Sequence, residues 1–257
     1  MNILVIGDVV SDIGCRFLRK NLSAFKKLKA IDFCIVNGEN SAAGNGITPL
    51  SAQELFTSGA DFITTGNHVY RRKEVYDLLD ESEFIIRPCN YPEANPGKGY
   101  SIVDMGRYSV AVINLMGTMY MESLENPFNA ADRALKEIGS ATPVILVDFH
   151  AEATSEKQAL AYYLDGRVSA VFGTHTHVLT NDERILPGGT GYITDIGMCG
   201  VKNSVLGVNK ELIIEKFRTN MPVRFDAASG ECIINGCIFT IDEKSGKCVA
   251  VESVRIG

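Results

Sequence analysis

The chain has 257 residues, 46% hydrophobic and 22% charged, which is ample apolar material for a large core and predicts one domain over 1–257. A formal net charge of -6 excludes the basic footprint that broad binding to duplex nucleic acid needs, but leaves room for a small phosphate ester at a locally cationic site. No apolar run approaches the ~18 residues of a membrane span, no basic n-region with an apolar stretch follows Met1, and the seven cysteines include no Cys-x-x-Cys, so a cytoplasmic chain with reduced thiols is expected.

In chain order, 3–6 is a short apolar run that reads as a buried strand and delivers Asp8 into a loop. A helix is predicted over 14–28, where Phe17, Leu18, Leu22, Phe25 and Leu28 recur at helical spacing. A second strand, 33–36, ends in Glu39 and Asn40. The Gly-rich loop 41–48 follows, then a helix from Pro49 capped by Thr48. The strand 62–65 delivers Asn67 and His68, and a charged helix is expected over 72–79. Alternation in 100–103 and 110–115 around Gly106 predicts a hairpin. Residues 117–129, with two methionines and a tyrosine, read as a long loop that could close over a site. A helix over 130–138, a strand over 144–147 leading to His150, and a helix over 155–164 come next. The apolar run 169–172 then opens onto Gly173-Thr174-His175-Thr176-His177. Beyond a strand at 192–195, residues 196–200 read as a Gly-rich loop and 209–218 as a helix. The stretch 223–256 has a β pattern broken at Ser229-Gly230, Asn235-Gly236 and Ser245-Gly246, which sets Cys232 and Cys237 across a hairpin.

The chain has four histidines, and all follow apolar strand-like runs. Five such runs deliver Asp8, Glu39 with Asn40, Asn67 with His68, His150, and His175 with His177. Sites in α/β sheets form beyond the carboxyl ends of the strands. Singly each residue has an ordinary explanation, as a cap, a turn residue or a core histidine. Five segments converging on one edge instead point to a metal site. Carboxylates, amides and imidazoles without thiolates suit Mn, Fe, Zn or Ni. There are enough groups for two ions sharing one carboxylate. Such a pair activates a bridging water and clamps a phosphoryl group.

Gly7-Asp8, Gly38-Glu39-Asn40, Gly66-Asn67-His68, His150 and the Gly173 to His177 motif resemble the successive motifs of the calcineurin-like metallophosphoesterases. Within them the YmdB-like branch is the closer match. It takes in Glu39-Asn40-Ser41-Ala42, Gly44-Asn45-Gly46, Asn126-Pro127-Phe128 and Thr194-Asp195-Ile196-Gly197-Met198. The resemblance covers essentially the whole chain. It implies an α/β sandwich of two mixed β-sheets flanked by helices, with the metals at the strand ends. It implies one ion on Asp8, Glu39, Asn40 and His177 and a second on Glu39, Asn67, His150 and His175, with Glu39 bridging and iron or manganese as the metal. His68 would lie outside this set and act on the phosphate or leaving group. Family members are similar to 2′,3′-cyclic nucleotide phosphodiesterases.

The wider superfamily carries a histidine where this chain has Val10, and Asn40 is the expected replacement ligand. The Gly44-Asn45-Gly46 loop either offers backbone N–H groups to a phosphate or is a turn before Pro49. The expected partner is a small phosphate ester, and a homo-oligomer is compatible with the sequence without being required by it. Two alternatives stand beside the cyclic-nucleotide reading: a phosphomonoesterase or RNA-end phosphatase, and a regulatory protein that senses a nucleotide on the same fold.

Overall fold

A computed structural model describes residues 1–257. The first third of the chain builds most of one sheet and its helical cover. Strand β1 (Asn2–Ile6) and the two-residue β2 (Asp8–Val9) precede helix α1 (Ser11–Leu28), followed by β3 (Phe33–Asn37), α2 (Pro49–Ser58), β4 (Phe62–Thr64) and α3 (Tyr76–Glu81). The middle third builds the second sheet: β5 (Tyr100–Asp104), β6 (Ser109–Met116), α4 (Pro127–Ile138), β7 (Ile145–His150), α5 (Thr154–Leu164), β8 (Ala170–Thr174), β9 (Arg184–Ile185) and β10 (Gly191–Ile193). The chain then returns to the first sheet with β11 (Met198–Val201), α6 (Lys210–Thr219), β12 (Cys232–Ile241) and β13 (Cys248–Ile256).

The first sheet runs β2-β11-β12-β1-β3-β4, with β13 also on β12; the second runs β5-β6-β7-β8-β10-β9. Both are mixed. β1, β3 and β4 are parallel and β12 is antiparallel to β1. β6, β7, β8 and β10 are parallel, while β5 and β9 pair antiparallel at the two edges. The sheets face each other across a shared core. Ile3, Val5, Phe33, Ile35 and Phe62 project from one, and Val110, Val112, Leu146, Ala170 and Phe172 from the other. The outer face of the first sheet packs on α1 and α2 through Leu4, Ile6, Leu18, Leu22 and Leu55; that of the second packs on α4 and α5 through Val147, Phe149, Ala134 and Leu160. Because the strands are buried on both faces, they read in the sequence as continuous apolar runs.

Several elements differ from the sequence expectation. The helix expected over 72–79 begins instead as two 3-10 turns, Val69–Arg71 and Lys73–Val75. Arg72 between them is extended, and its guanidinium reaches back to the carbonyls of Ala43 and Asn45. The loop expected over 117–129 ends early, because Asn126 caps α4 by accepting from Phe128 N–H and Pro127 takes the first helical position. Residues 196–200 are not all loop: 198–201 form β11, paired with β2 and β12. Asn235-Gly236 is not a turn. β12 runs straight through it with β1 on one side and β13 on the other. Cys232 and Cys237 therefore lie on one strand, and all seven cysteines are free and buried.

Candidate metal centre

The parallel strands β1, β3, β4, β7 and β8 end at one rim. Asp8 opens β2 just past β1; Glu39 and Asn40 follow β3; Asn67 and His68 follow β4. His150 closes β7, and His175 and His177 lie just past β8. Asp8, Glu39 and His150, all buried, form the tightest group, with ligand atoms within 4.8 Å of one another. Gly66 leaves room for it: a Cβ there would stand 2.3 Å from His150 Nε2 and 2.4 Å from Glu39 Oε2.

The hydrogen bonds determine where each imidazole carries its proton. Thr174 Oγ1 gives its one hydrogen to Asp148 Oδ1 at 2.7 Å, so it accepts from His150 Nδ1–H at 2.9 Å. His150 Nε2 is therefore bare. It faces Asn67 Oδ1 at 3.0 Å, His175 Nδ1 at 3.1 Å and Glu39 Oε2 at 3.3 Å. His175 places its Nε2 3.1 Å from Glu152 Oε2, which keeps the proton there and leaves Nδ1 bare. His177 donates Nδ1–H to the Leu206 carbonyl at 3.0 Å, so Nε2 faces Asp8 Oδ1 at 3.5 Å and Asn40 Nδ2 at 3.4 Å. Asp8 Oδ2 accepts His175 N–H at 3.1 Å, whereas Oδ1 is buried with no hydrogen-bond partner.

Glu39 sits between the groups. Its Oε1 accepts from Asn40 Nδ2 at 2.8 Å and lies 3.0 Å from His68 Nδ1; its Oε2 accepts His68 N–H at 3.0 Å. His68 Nδ1 also lies 2.9 Å from Asn40 Oδ1. Two acceptors on Nδ1 hold the proton there and leave Nε2 free.

Burial raises the Asp8 pKa, but His177, His150 and the His175 amide more than offset this, so Asp8 stays ionised well below the usual carboxylate range. Glu39 behaves likewise: burial raises it, and His150 with the His68 bond brings it down. Burial lowers His150 to about 4, so this ring is neutral near pH 7. Burial also disfavours charge on His177, yet Asp8 overcomes it and raises the ring to about 9. Asp148, outside the cluster, is raised to about 7 by burial. Two ionised carboxylates, one of them with an oxygen that accepts no hydrogen bond, lie beside imidazole nitrogens aimed at each other and at an amide oxygen, an arrangement of donor atoms that a cation would satisfy. Oxygen and imidazole donors without thiolate fit divalent transition metals.

Residues 4–254 match the family described as YmdB-like protein. A 2′,3′-cyclic-nucleotide 2′-phosphodiesterase of Bacillus subtilis (strain 168) is 47% identical over 256 residues, 100% of this chain and 97% of the relative. Among solved structures, a hypothetical protein of Thermus thermophilus superposes with a TM-score of 0.94 at 42% identity, covering 100% of this chain and 99% of that one. A protein described as a novel phosphatase of Mycoplasma pneumoniae superposes with a TM-score of 0.93 at 33% identity, covering 100% and 93%. The chain belongs to the YmdB-like family.

In this YmdB-like chain the loop at Gly44, Asn45 and Gly46 sits beside the rim. Gly44 and Gly46 have φ of 94° and 82°, and the Ala43 and Asn45 carbonyls turn toward Arg72. Several supporting residues were missed by sequence reasoning. Asp148 and Thr174 orient His150. Glu152 orients His175, and Glu156 accepts Thr118 N–H at 2.9 Å and Met119 N–H at 3.3 Å. Lys157 lies beneath the His175 turn. Two of these, Glu156 and Lys157, lie in the predicted helix 155–164, where helical amphipathicity explained the polar residues well enough to hide them, while Asp148 lies in β7 and Glu152 just past it. The one available signal was Glu156 and Lys157 on a helix whose buried face they share.

Proposed function

We propose that the chain hydrolyses small phosphodiesters, 2′,3′-cyclic nucleotides foremost, at two transition-metal ions of the iron or manganese type. Asp8, Glu39, Asn40 and His177 would hold one ion and Glu39, Asn67, His150 and His175 the other. The observation that carries this is the bare His150 Nε2, aimed at an amide oxygen, a carboxylate and a second bare imidazole nitrogen within 3.3 Å. The cyclic-nucleotide substrate is supported by the 47% identity to the Bacillus subtilis enzyme across the full chain. When bound, two such ions supply Lewis-acid stabilisation of phosphoryl charge and activate water near neutral pH.

The protein's own part is to aim the ligands. Asp148 through Thr174, Glu152, and the Leu206 carbonyl each hold an imidazole proton on the nitrogen away from the cluster. His68 has a different task. Its Nδ1 is tied to Glu39 and Asn40, and the ring is 24% exposed, so Nε2 is the atom free to meet substrate. A ribose oxygen leaving as the cyclic ester opens needs a proton, and His68 Nε2 is placed to donate it. We treat 1–257 as one catalytic domain, supported by the core shared between the sheets. The cytoplasmic placement is supported by seven free, buried thiols.

Metal analysis of purified protein, beside turnover on 2′,3′- and 3′,5′-cyclic nucleotides and on nucleoside monophosphates, tests the proposal. Two ions per chain with fastest turnover of a 2′,3′-cyclic substrate is the expected result. Preferred hydrolysis of monoesters would move the assignment toward a phosphatase, as the Mycoplasma pneumoniae neighbour is described. Metal-free protein that retains turnover would overturn it.

A further inference from the structure

We propose, building on the metal-centre reading above, that the buried Lys157–Asp195 ion pair is a clamp that positions the His175 and His177 ligands, so that metal affinity depends on residues that touch no metal. Both side chains are 1% exposed, and Lys157 Nζ lies 2.6 Å from Asp195 Oδ2. Burying two charges costs heavily in desolvation, and a well-packed apolar pair in such a place is often as stable or more so. What the pair provides beyond stability is therefore to be sought in its other bonds.

Those bonds go to one turn and to the segment packed against it. Lys157 Nζ donates to the Thr174 carbonyl at 2.9 Å. Asp195 Oδ2 accepts Thr176 N–H at 3.1 Å and Thr176 Oγ1–H at 2.7 Å. The turn gripped this way carries His175 at φ 94° and His177 at φ 62°, left-handed conformations that non-glycine residues adopt only when their surroundings impose them. Both strained residues are candidate ligands. Asp195 Oδ1 accepts Gly197 N–H at 2.9 Å, and the Gly197 carbonyl in turn accepts Asp8 N–H at 3.2 Å. One carboxylate thus ties together the backbones that present Asp8, His175 and His177. Gly173 admits the clamp: a Cβ there would stand 2.9 Å from Lys157 Cδ and 1.9 Å from the Thr194 carbonyl oxygen. The charges fasten the backbone of the turn and Thr176 while the His175 and His177 rings meet His150, Asp8 and Asn40, so Lys157 and Asp195 are positioning residues.

The test uses the full chain, stripped of metal and titrated with Mn²⁺ by calorimetry, with the spin-resonance spectrum of the loaded protein as a second readout. The variants are Lys157→Met with Asp195→Asn, which removes both charges together and leaves an acceptor for the backbone amides, and Thr176→Ala, which removes a single hydroxyl from a half-buried site. The expected result is two Mn²⁺ per wild-type chain and affinity about 10–100-fold weaker in the double variant, the range for lost outer-shell partners. The spectrum of a coupled pair should give way to that of isolated ions. Thr176→Ala should shift in the same direction by less, and it carries the test if the double variant does not fold. Folded variants that bind Mn²⁺ as tightly as wild type, with only a lower melting temperature, would reduce the pair to a structural feature and overturn the clamp. Wild-type chain that binds no Mn²⁺ or Fe²⁺ would instead remove the metal-centre reading itself.

Discussion

Residue by residue, the site is a set of candidate ligands whose imidazoles are each held in orientation by a hydrogen-bond partner on the far nitrogen. Glu39 is its hub, touching Asn40, His68 and His150. Glu39→Gln should weaken both ions together, since a neutral amide bridges two cations poorly, and Asn40→Ala should weaken mainly one. Metal content after dialysis checks this, and full retention of two ions by Glu39→Gln would end the bridging assignment. His68 contacts Glu39 and Asn40 but leaves Nε2 free. His68→Ala should keep two ions and the fold while losing about 10²–10⁴-fold in kcat on a cyclic nucleotide. The loss should be smaller on a nitrophenyl phosphate ester, whose leaving group needs no proton. Equal losses on both substrates would remove the general-acid role, and metal loss in step with activity would make His68 a structural support of Glu39.

Among the strands and helices, close approaches explain glycines that local signals misread. Asn235-Gly236 has the composition of a tight turn, yet Gly236 sits in the middle of β12 opposite Ile6 and Val254. A Cβ there would lie 2.3 Å from the Val5 carbonyl oxygen, so glycine is needed for sheet contact rather than for chain reversal. Gly236→Ala should therefore destabilise the protein by about 1–3 kcal/mol, read from the denaturant midpoint. A turn residue at a flexible reversal would tolerate the change, and an unshifted midpoint would contradict the strand contact. The same competition between local and tertiary signals accounts for β11, whose Gly-rich sequence pairs with β2 and β12. It also accounts for the broken start of α3, where Arg72 is drawn away to the Ala43 and Asn45 carbonyls.

Across the entire chain, one core joins the two sheets, and the site draws candidate ligands from both. We therefore expect a single calorimetric unfolding transition, and two separable transitions would contradict a one-domain reading of 1–257. Metal removal should lower its midpoint. Ligand binding to the folded state at 100 times the dissociation constant stabilises by about 2.7 kcal/mol. For a chain of this size that corresponds to about 5–10 °C. A chelated sample melting with the untreated one would argue that the cluster holds no ion.

The strands that deliver the candidate ligands, and the residue types they carry to the rim, are legible without any structure. An apolar run followed by Asp, Asn, Glu or His is a local pattern, and buried parallel strands write it plainly. The lack of a long apolar run is equally local, and no helix of the fold is long and apolar enough to cross a membrane. What surrounds the ligands is settled by tertiary contacts instead. Which nitrogen of His150 is bare depends on Thr174 and Asp148, 24 and two residues away along the chain, and the shape of the His175 turn depends on Lys157 and Asp195. These are individual hydrogen bonds, most of them between segments distant in sequence. They leave no periodicity or spacing to read, because their geometry exists only once the sheets have closed.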